Sequence, residues 1–334
     1  MPPAPATRHP IPIGPLLLAL LLAAAVTPAF ASDAGDGDAE RASRSGAPPG
    51  TLRLISLNPS LTAIVDRLGR ADTLVGIDDY SARLQPELAG LPRVGGLFDP
   101  SLESVVSLRP DLVLVVAGVD QQSHAERLRR AGLEVEVFRN EKLDEVLENI
   151  DRLGRMLGRR DAAAQRIRVI RRTREAVRRA TRGRPRPDTV AVLDRAPLFV
   201  VGAETFLDEM LSAVGARNLG AALGDGYPRA SIEWLIDASP ELLLDMTPDE
   251  EAPAGFWSRW PSLPAVAAGR VVEVDASRIS LPGPDIDGAM RALAVAVHGA
   301  AVAPAIDAAL EQDAALAKGA ARAKAATLEE GATP

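Results

Sequence analysis

The stretch Ser101-Leu-Glu-Ser-Val-Val-Ser-Leu-Arg-Pro-Asp-Leu-Val-Leu-Val115 occurs again, without gaps, as Ser231-Ile-Glu-Trp-Leu-Ile-Asp-Ala-Ser-Pro-Glu-Leu-Leu-Leu-Asp245. Five of the residues are identical, and most of the other pairs are conservative. In each copy a Ser precedes a helical apolar pattern, a Pro ends that pattern, and a short apolar run follows. This order predicts a Ser-capped helix that leads into a buried strand. A repeat at so long a period predicts two similar lobes.

Outward from the repeat, short apolar runs alternate with helical patterns along most of the chain. Ser60 is predicted to cap the helix after the first strand, and Leu102, Val105 and Val106 to form the packing face of the first repeat helix. Strands alternating with helices predict an α/β fold with parallel sheets covered on both faces. The predicted strands lie at residues 52–57, 74–77, 112–116, 134–138, 189–193, 198–201, 242–245 and 270–274.

The N-terminus resembles a secretory signal peptide, because an apolar run over residues 16–26 precedes the small-residue site Ala29-Phe30-Ala31. The run is shorter than the roughly 20 residues of a membrane span, so cleavage after Ala31 and a periplasmic location are expected rather than a retained anchor. Without a cysteine there is no lipid anchor. The predicted segments are a signal peptide (1–31), a flexible leader (32–50), an N-terminal lobe (51–141), a linking helix (142–183), a C-terminal lobe (184–310) and an Ala-rich tail (311–334).

The composition argues against several classes of function. The net charge of −7 disfavours a nucleic-acid partner. The chain has no cysteine and only three histidines. The sequence therefore predicts no metal site, no catalytic residue and no resident cofactor. Phosphate-loop and nucleophile-elbow motifs are absent, so an enzyme is not expected, although a carboxylate-only hydrolase stays open. The arginine run over 166–179 is interpreted as a solvated helix face, with a membrane or nucleic-acid patch as the alternative.

Five pieces of the chain, in order, resemble the substrate-binding proteins of ABC importers that carry vitamin B12, haem and ferric siderophores. The piece Val94-Gly-Gly-Leu-Phe-Asp-Pro-Ser-Leu-Glu103 is most similar to the cobalamin-binding branch. Together the pieces span about residues 51–305. They are Arg53-Leu-Ile-Ser-Leu-Asn-Pro-Ser-Leu-Thr62, Leu74-Val-Gly-Ile-Asp-Asp-Tyr80, the piece just quoted with its continuation Leu108-Arg-Pro-Asp-Leu-Val-Leu114, Phe206-Leu-Asp-Glu-Met-Leu-Ser-Ala-Val-Gly-Ala-Arg-Asn218 and Trp260-Pro-Ser-Leu-Pro-Ala-Val-Ala-Ala-Gly-Arg-Val-Val272.

The resemblance implies a class III periplasmic binding protein, with two Rossmann-like lobes joined by one long rigid helix. It implies a monomer that binds a small molecule in a shallow cleft and performs no chemistry. Its partner would be an ABC importer permease dimer with its ATPase subunits. The expected ligand is cobalamin or a related corrinoid, then a ferric siderophore, then haem. A non-transport sensor or scaffold on the same fold stays open.

Candidate ligand contacts are aromatic and polar side chains in loops that follow strands, since clefts in open α/β lobes lie at the carboxyl ends of strands. Flat aromatic faces suit a flat, wide ligand; packing is the alternative for each residue, and helix capping the alternative around Ser60. The candidates are Tyr80, Phe98, Phe206, Tyr227, Trp257, Asp275, Arg278 and Asn58.

The two repeat copies each carry one glutamate, Glu103 or Glu233, two residues after the Ser cap. The helix dipole alone favours an acidic residue there. The resemblance aligns both with glutamates that meet arginines on the two permease subunits. We therefore expect Glu103 and Glu233 to be permease-docking residues.

Overall fold

The first lobe is built on a parallel sheet of four short strands. In the computed structural model, residues 52–97, 99–248 and 251–315 are described, so the predicted signal peptide, nearly all of the sequence before the first strand, and most of the tail lie outside them. The strands are β1 (Leu54–Ser56), β2 (Leu74–Ile77), β3 (Leu112–Val116) and β4 (Val135–Phe138). Their order is β2-β1-β3-β4, and every pairing is parallel.

The second lobe holds a mostly parallel sheet of five strands. Its order is β6-β5-β8-β9, with β7 also paired to β5 and only β6 antiparallel. The predicted strands are confirmed in both lobes. The short β7 was not predicted, because two polar residues carry no apolar run. The strands are β5 (Asp188–Arg195), β6 (Leu198–Val200), β7 (Arg217–Asn218), β8 (Leu242–Asp245) and β9 (Val271–Glu273).

Helices cover the faces of both sheets, as predicted for an α/β fold. They are α1 (Pro59–Arg67), α2 (Asp79–Leu84), α3 (Leu102–Ser107), α4 (Val119–Arg130), α5 (Leu143–Met156), α6 (Arg160–Thr181), α7 (Phe206–Ala213), α8 (Ile232–Ala238), α9 (Pro253–Trp257), α10 (Pro264–Ala267), α11 (Ala276–Ile279) and α12 (Ile286–His298), with a final helix over 303–315. In the part of the chain that the structure describes, no helix is both long and apolar enough to cross a membrane.

The internal repeat forms the same unit in each lobe, a short helix followed by a central strand. Helix α3 leads into β3 and α8 leads into β8. Ser101 and Ser231 cap these helices, since their hydroxyls accept from the backbone N–H of Ser104 and Trp234 at 3.2 and 3.1 Å. The two-lobe prediction from the repeat is confirmed.

The segment predicted as a linking helix, either one long helix or two in series, contains two helices that lie side by side. Gly158, with φ +67°, adopts the left-handed conformation that ends α5 and lets the chain turn into α6. Arg174 on α6 lies 3.2 Å from Asp144 at the start of α5, so the two helices run antiparallel. The long link is therefore α6 alone, 22 residues or about 33 Å.

Each end of helix α6 lies near the amino-terminal end of a strand. At one end, Arg70 donates to the carbonyl of Leu157 at 2.7 Å, just before β2 begins. At the other end, the chain leaves α6 and enters β5 within a few residues. Between these ends, Arg174 of α6 passes the start of α5, which follows the carboxyl end of β4.

The main hydrophobic core is continuous through both lobes. It includes Leu54 of β1, Ile150 of α5, Ile170 of α6, Leu193 of β5 and Met290 of α12, and these side chains are at most 1% exposed. Two smaller clusters cover the outer face of each sheet. The two lobes therefore share one buried interior rather than meeting only at a surface contact.

Candidate ligand-binding site

The two lobes meet at a junction between residues 139–142, which follow the carboxyl end of β4, and residues 202–209, which follow the antiparallel strand β6. The Lys142 ammonium is ion-paired with Glu204, and the backbone N–H of Leu143 donates to the Glu209 carboxylate at 2.6 Å. Because β6 runs antiparallel to β5, residue 202 lies toward the amino-terminal end of β5, whereas β5 and β8 end at Arg195 and Asp245. Open α/β sheets bind ligands at such carboxyl ends.

On the first lobe, this edge contains a buried network of small polar side chains. The Asp78 carboxylate accepts from the backbone N–H of Tyr80 and of Ser81, each at 2.9 Å, and also from the Ser81 hydroxyl. The Thr62 hydroxyl lies 2.9 Å from the Ser81 hydroxyl and 2.8 Å from that of Ser56. Burial away from water raises the pKa of Asp78 to about 6. The sequence analysis did not single out this network.

Asn58 begins helix α1 instead of facing a ligand. Its side-chain oxygen accepts from the backbone N–H of Ser60 at 2.9 Å, and the residue is 5% exposed. The prediction that Ser60 caps the helix was wrong, because Pro59 occupies the first helical position and places Asn58 at the cap. Asn58 thus supports the floor of this edge through α1.

Tyr80 is the candidate aromatic residue that the structure leaves partly open to solvent on this edge. It lies in the first turn of α2, which the Asp78 carboxylate caps. The guanidinium of Arg83 lies 5.3 Å from the centre of its ring, a cation–π distance. Partial burial raises the pKa of the phenol. Phe98, the other aromatic candidate of this lobe, lies outside the described residues.

On the second lobe, Phe206 and Tyr227 lie at the junction but are packed into the core, 3% and 5% exposed. Thr205 shares a hydrogen bond with the Tyr227 phenol, and burial raises the pKa of that phenol. The two side chains offer little surface to a ligand in this conformation. They form the floor beneath the junction.

Trp257, a predicted ligand contact, is enclosed in the core in this structure. Its side chain is 0% exposed, and its indole N–H donates to the Asp245 carboxylate at 2.5 Å. The same carboxylate is ion-paired with Arg195 at 2.9 Å. The guanidinium of Arg195 is buried in this pair.

Phe256 and Trp260 are the partly exposed members of the same aromatic cluster. Their ring centres lie 4.9 and 5.6 Å from that of Trp257. Arg259 covers the Phe256 ring at 4.1 Å and is ion-paired with Glu251 at 2.8 Å. These two rings are the aromatic surface that the cluster leaves available.

Asp275 and Arg278 follow β9 and are both exposed. The Asp275 carboxylate caps α11 by accepting from the backbone N–H and the hydroxyl of Ser277, at 2.9 and 2.6 Å. Arg278 lines a groove of about 430 Å³ between α12 and the final helix, together with Val295 and Ile306. The structure thus places Asp275 in a cap and Arg278 beside that groove.

Glu103 and Glu233 are exposed at equivalent places on α3 and α8. The Glu233 backbone N–H and the Ser231 hydroxyl bond its carboxylate and lower its pKa. Leu102 and Val106 beside Glu103 are 42% exposed, and Ile236 beside Glu233 is 39% exposed. The prediction that Leu102 and Val106 pack inward was wrong, because a six-residue helix turns only Val105 fully into the core. Each glutamate therefore stands in a small apolar surface.

Among the residues that the structure describes, the titratable side chains form no cluster of the kind that a metal requires. No group of three or more His, Asp or Glu side chains within the described ranges could hold a metal ion. The His298 imidazole lies 2.7 Å from the carbonyl of Val214, and burial lowers its pKa. His124 is buried, 9% exposed.

Two similar α/β lobes with a shared core, one long helix behind them and a junction at the strand ends define a two-lobed solute-binding protein. Residues 54–277 match the family described as periplasmic binding protein, and the chain belongs to this family. The class III fold expected from the sequence is confirmed.

Named relatives bind corrinoids or haem. The chain is 25% identical over 234 residues to the vitamin B12-binding protein of Vibrio vulnificus, covering 70% of this chain and 85% of the relative. It is 29% identical over 269 residues to the cobalamin-binding protein of Halobacterium salinarum, covering 75% and 70%. Among solved structures, the periplasmic haem-binding protein RhuT of Roseiflexus sp. RS-1 is 25% identical with a TM-score of 0.64, covering 77% and 99%. The chain is thus a binding protein of the B12, haem and siderophore type.

Proposed function

We propose that this protein captures cobalamin or a related corrinoid between its lobes, outside the cytoplasm, and delivers it to the permease of an ABC importer. The observation that carries this proposal is the partly exposed aromatic surface of Tyr80, Phe256 and Trp260 after the carboxyl ends of β2 and β8, in a chain whose named relatives include vitamin B12- and cobalamin-binding proteins. Removal of the signal peptide after Ala31 would place the mature monomer in the periplasm.

The charges near the junction favour a ligand without strong negative charge. Arg139 lies 2.9 Å from Glu145, and Lys142 is paired with Glu204. Arg195 and Arg259 are paired with Asp245 and Glu251. An anionic ligand would have to compete with the carboxylates of these pairs, and displacing Asp245 from its buried pair with Arg195 would be costly. A corrinoid, whose edge carries neutral amides, can bind without displacing a carboxylate from these pairs.

The ligand would contact the partly exposed groups and rest on the buried ones. We assign contact to Tyr80 on the first lobe and to Asp275 on the second, and add Phe256 and Trp260 as flat surfaces; Phe98 is retained as a candidate from the sequence alone. Asn58, Phe206 and Tyr227 would support the floor. Arg278 would contribute only through the groove behind α11.

The permease would bind the two lobes through Glu103 and Glu233. Both carboxylates are exposed, each follows a Ser cap, and each is flanked by exposed apolar side chains on the same helix. A charged residue surrounded by a small apolar surface is typical of an interface in which ion pairs set the orientation and apolar contacts add buried area. Permease arginines are the partners that fit.

Calorimetric titration of the mature protein with cyanocobalamin tests the ligand. We expect one-to-one binding, and Tyr80→Ala should weaken it about tenfold by removing a large aromatic contact. Tyr227→Phe is the matched control and should leave the affinity nearly unchanged. Absence of heat with cyanocobalamin would contradict the assignment.

Haem or a ferric siderophore is the second candidate, favoured by the half-exposed Tyr80 phenol beside Arg83 and by the likeness to RhuT. The same protein is titrated with haemin and with a ferric triscatecholate. Binding of either in preference to cyanocobalamin would retain the transport function and change the ligand.

Transport tests the docking assignment. Glu103→Ala with Glu233→Ala should leave ligand affinity unchanged and reduce ligand uptake through the cognate permease in proteoliposomes. The matched control replaces Glu126 and Glu148, which are exposed glutamates elsewhere. Equal uptake by both double variants would remove Glu103 and Glu233 from the docking surface.

A further inference from the structure

The exposed side of α6 carries arginines that the binding function does not use. The side chains of Arg168, Arg171, Arg172 and Arg182 are exposed, and we call these four residues the basic ridge. Arg168, Arg171 and Arg172 lie on α6 within about 6 Å along its axis, and Arg182 follows the last residue of that helix.

These four arginines differ from their neighbours in having no carboxylate partner. Arg174 and Arg178 are ion-paired with Asp144 and Glu175, and Arg179 with Asp313. Within the described residues, no acidic side chain lies within ion-pair distance of the basic ridge. Its guanidinium groups are therefore available to an external anion.

The ridge lies on the solvent-facing side of α6, whose opposite face packs on the core through Ile170 and Val177. The candidate ligand contacts Tyr80, Phe256 and Trp260 lie on other elements, after β2 and β8. Val169, an apolar side chain 37% exposed, stands next to Arg168. A partner bound there would leave the junction between the lobes accessible.

We propose that the basic ridge binds the surface of an anionic lipid bilayer. Guanidinium groups fit phosphate oxygens as paired donors, and Arg168, Arg171 and Arg172, on one exposed face of α6, can meet a lipid surface together. Val169 can enter the interfacial layer between headgroups. Nucleic acid fits less well, since the chain as a whole carries a net charge of −7.

Held in this way, the protein would present its ligand site away from the lipid. Binding at the ridge would also have to end before Glu103 and Glu233 could reach a permease in the same membrane. The ridge would thus keep ligand-free protein at the membrane surface. Salt, or another molecule that binds the ridge, would release it. The surface could be any anionic phospholipid layer, because the ridge recognises charge and phosphate.

Vesicle flotation with the full mature protein tests the proposal. The protein should float with vesicles of phosphatidylglycerol mixed with phosphatidylcholine, remain free with phosphatidylcholine alone, and dissociate at high salt. Replacing Arg168, Arg171 and Arg172 together with Gln should weaken the partition about 100-fold, since each basic residue near an anionic surface contributes about fivefold. Failure of the unmodified protein to float would overturn the proposal.

A second triple variant provides the matched control. Arg93, Arg127 and Arg130 are exposed on the first lobe away from α6, and their replacement with Gln removes the same charge. The control triple should partition like the unmodified protein. Equal losses in the two triples would show attraction by overall charge and refute the ridge. Binding to a DNA duplex in place of vesicles would also refute it.

Labelling tests the orientation independently of any ligand. The chain has no cysteine, so Gln165→Cys beside the ridge and Ser107→Cys on α3 can each carry one polarity-sensitive fluorophore. Vesicles should shift the emission to the blue at position 165 and leave it unchanged at position 107. A shift at 107 alone would place the opposite face on the lipid and overturn the proposal.

Discussion

Asp78 and Asp245 end β2 and β8 at the same edge of their lobes, and both are buried, but their charges are balanced differently. Asp245 faces the buried guanidinium of Arg195 at 2.9 Å. Asp78 receives only neutral donors, from two backbone N–H groups and the Ser81 hydroxyl. A carboxylate without a cation carries the desolvation cost of its own charge. The two residues should therefore respond differently to pH and to substitution.

Asp78 should make the protein less stable as the pH rises. Burial raises its pKa from the ordinary 3.8 to about 6, so the folded state favours the protonated form. The stability that this form contributes is complete below about pH 4 and is lost as the pH rises through about 6, roughly 3 kcal/mol at most. Asp78→Asn keeps an oxygen for the cap and should abolish this dependence in urea unfolding followed between pH 4 and pH 7.

The control for this experiment is the neighbouring Asp79→Asn, which makes the same change in charge at a partly exposed position. It should retain the pH dependence of the unmodified protein. If Asp78→Asn and the unmodified protein show the same pH profile, the Asp78 carboxyl is not the group responsible.

Asp245 should contribute most of the stability of its cluster. Asp245→Ala leaves the Arg195 guanidinium buried without its counter-charge, which should cost about 3–5 kcal/mol. Trp257→Phe removes only an indole N–H bond and should cost about 1–2 kcal/mol. Urea unfolding of the two variants measures the difference. Equal losses of unfolding free energy in the two variants would show that the ion pair contributes no more than the indole hydrogen bond. Partial recovery of stability in the double variant Arg195→Met with Asp245→Leu would support the importance of the pair.

At this scale the sequence could place candidate side chains but not their exposure. Tyr80 and Trp257 both stand in or beside loops after strands, and only packing decides that one is open and the other enclosed. The sequence Asp78-Asp79-Tyr80 after β2 indicated an acidic residue at this edge. It could not show whether that carboxylate would be buried, because an exposed helix-capping aspartate has the same sequence pattern. The roles of Glu103 and Glu233 still await the uptake test.

Among the helices, the close contact between α5 and α6 depends on a single small residue. A Cβ added at Gly154 would lie 2.4 Å from the Cβ of Ala163, closer than two carbon atoms can approach. Glycine at this position lets the two helices touch where Gly158 reverses the chain. The link is thus two packed helices, and its stiffness comes from that packing together with α12.

Gly154→Ala should destabilise the protein although alanine is the better helix former. The gain of about 1 kcal/mol in helix propensity is outweighed by an overpacking cost of about 1–3 kcal/mol. Adding Ala163→Gly should restore part of the loss by removing the colliding methyl group. Thermal unfolding compares the single and double variants.

Gly288→Ala provides the opposite case on α12, because no atom lies within 4 Å of the added Cβ. It should stabilise the protein by about 0.5–1 kcal/mol. Stabilisation by Gly154→Ala of similar size would show that α5 and α6 do not pack as closely as described.

The helices and strands were predictable wherever an apolar pattern was long enough to carry a period. The eight predicted strands and the repeat unit follow from such patterns. The division between α5 and α6 did not, because both halves continue a helical period through Gly158. The Asn58 cap was missed for a local reason, since Pro59 fixes the first helical position and moves the cap back by two residues.

For the molecule as a whole, one continuous core implies one cooperative unit despite two sheets. Ile150 and Ile170 on α5 and α6 contact the same buried cluster as Leu54 in the first lobe and Met290 in the second. Loss of either lobe would expose apolar surface of the linking helices. Independent unfolding of the lobes is therefore unfavourable, and a stiff link also limits how far the lobes can close on a ligand.

The chain's three tryptophans test this cooperativity directly. Trp234, Trp257 and Trp260 all belong to the second lobe, so their fluorescence reports that lobe, whereas far-ultraviolet circular dichroism reports both. The two signals should unfold at the same urea concentration. Ile170→Ala should move both midpoints together, because it removes packing of about 2–5 kcal/mol from the helix that the lobes share. Separate midpoints, or a shift in only one signal, would mean that the lobes unfold independently and that the shared core couples them weakly.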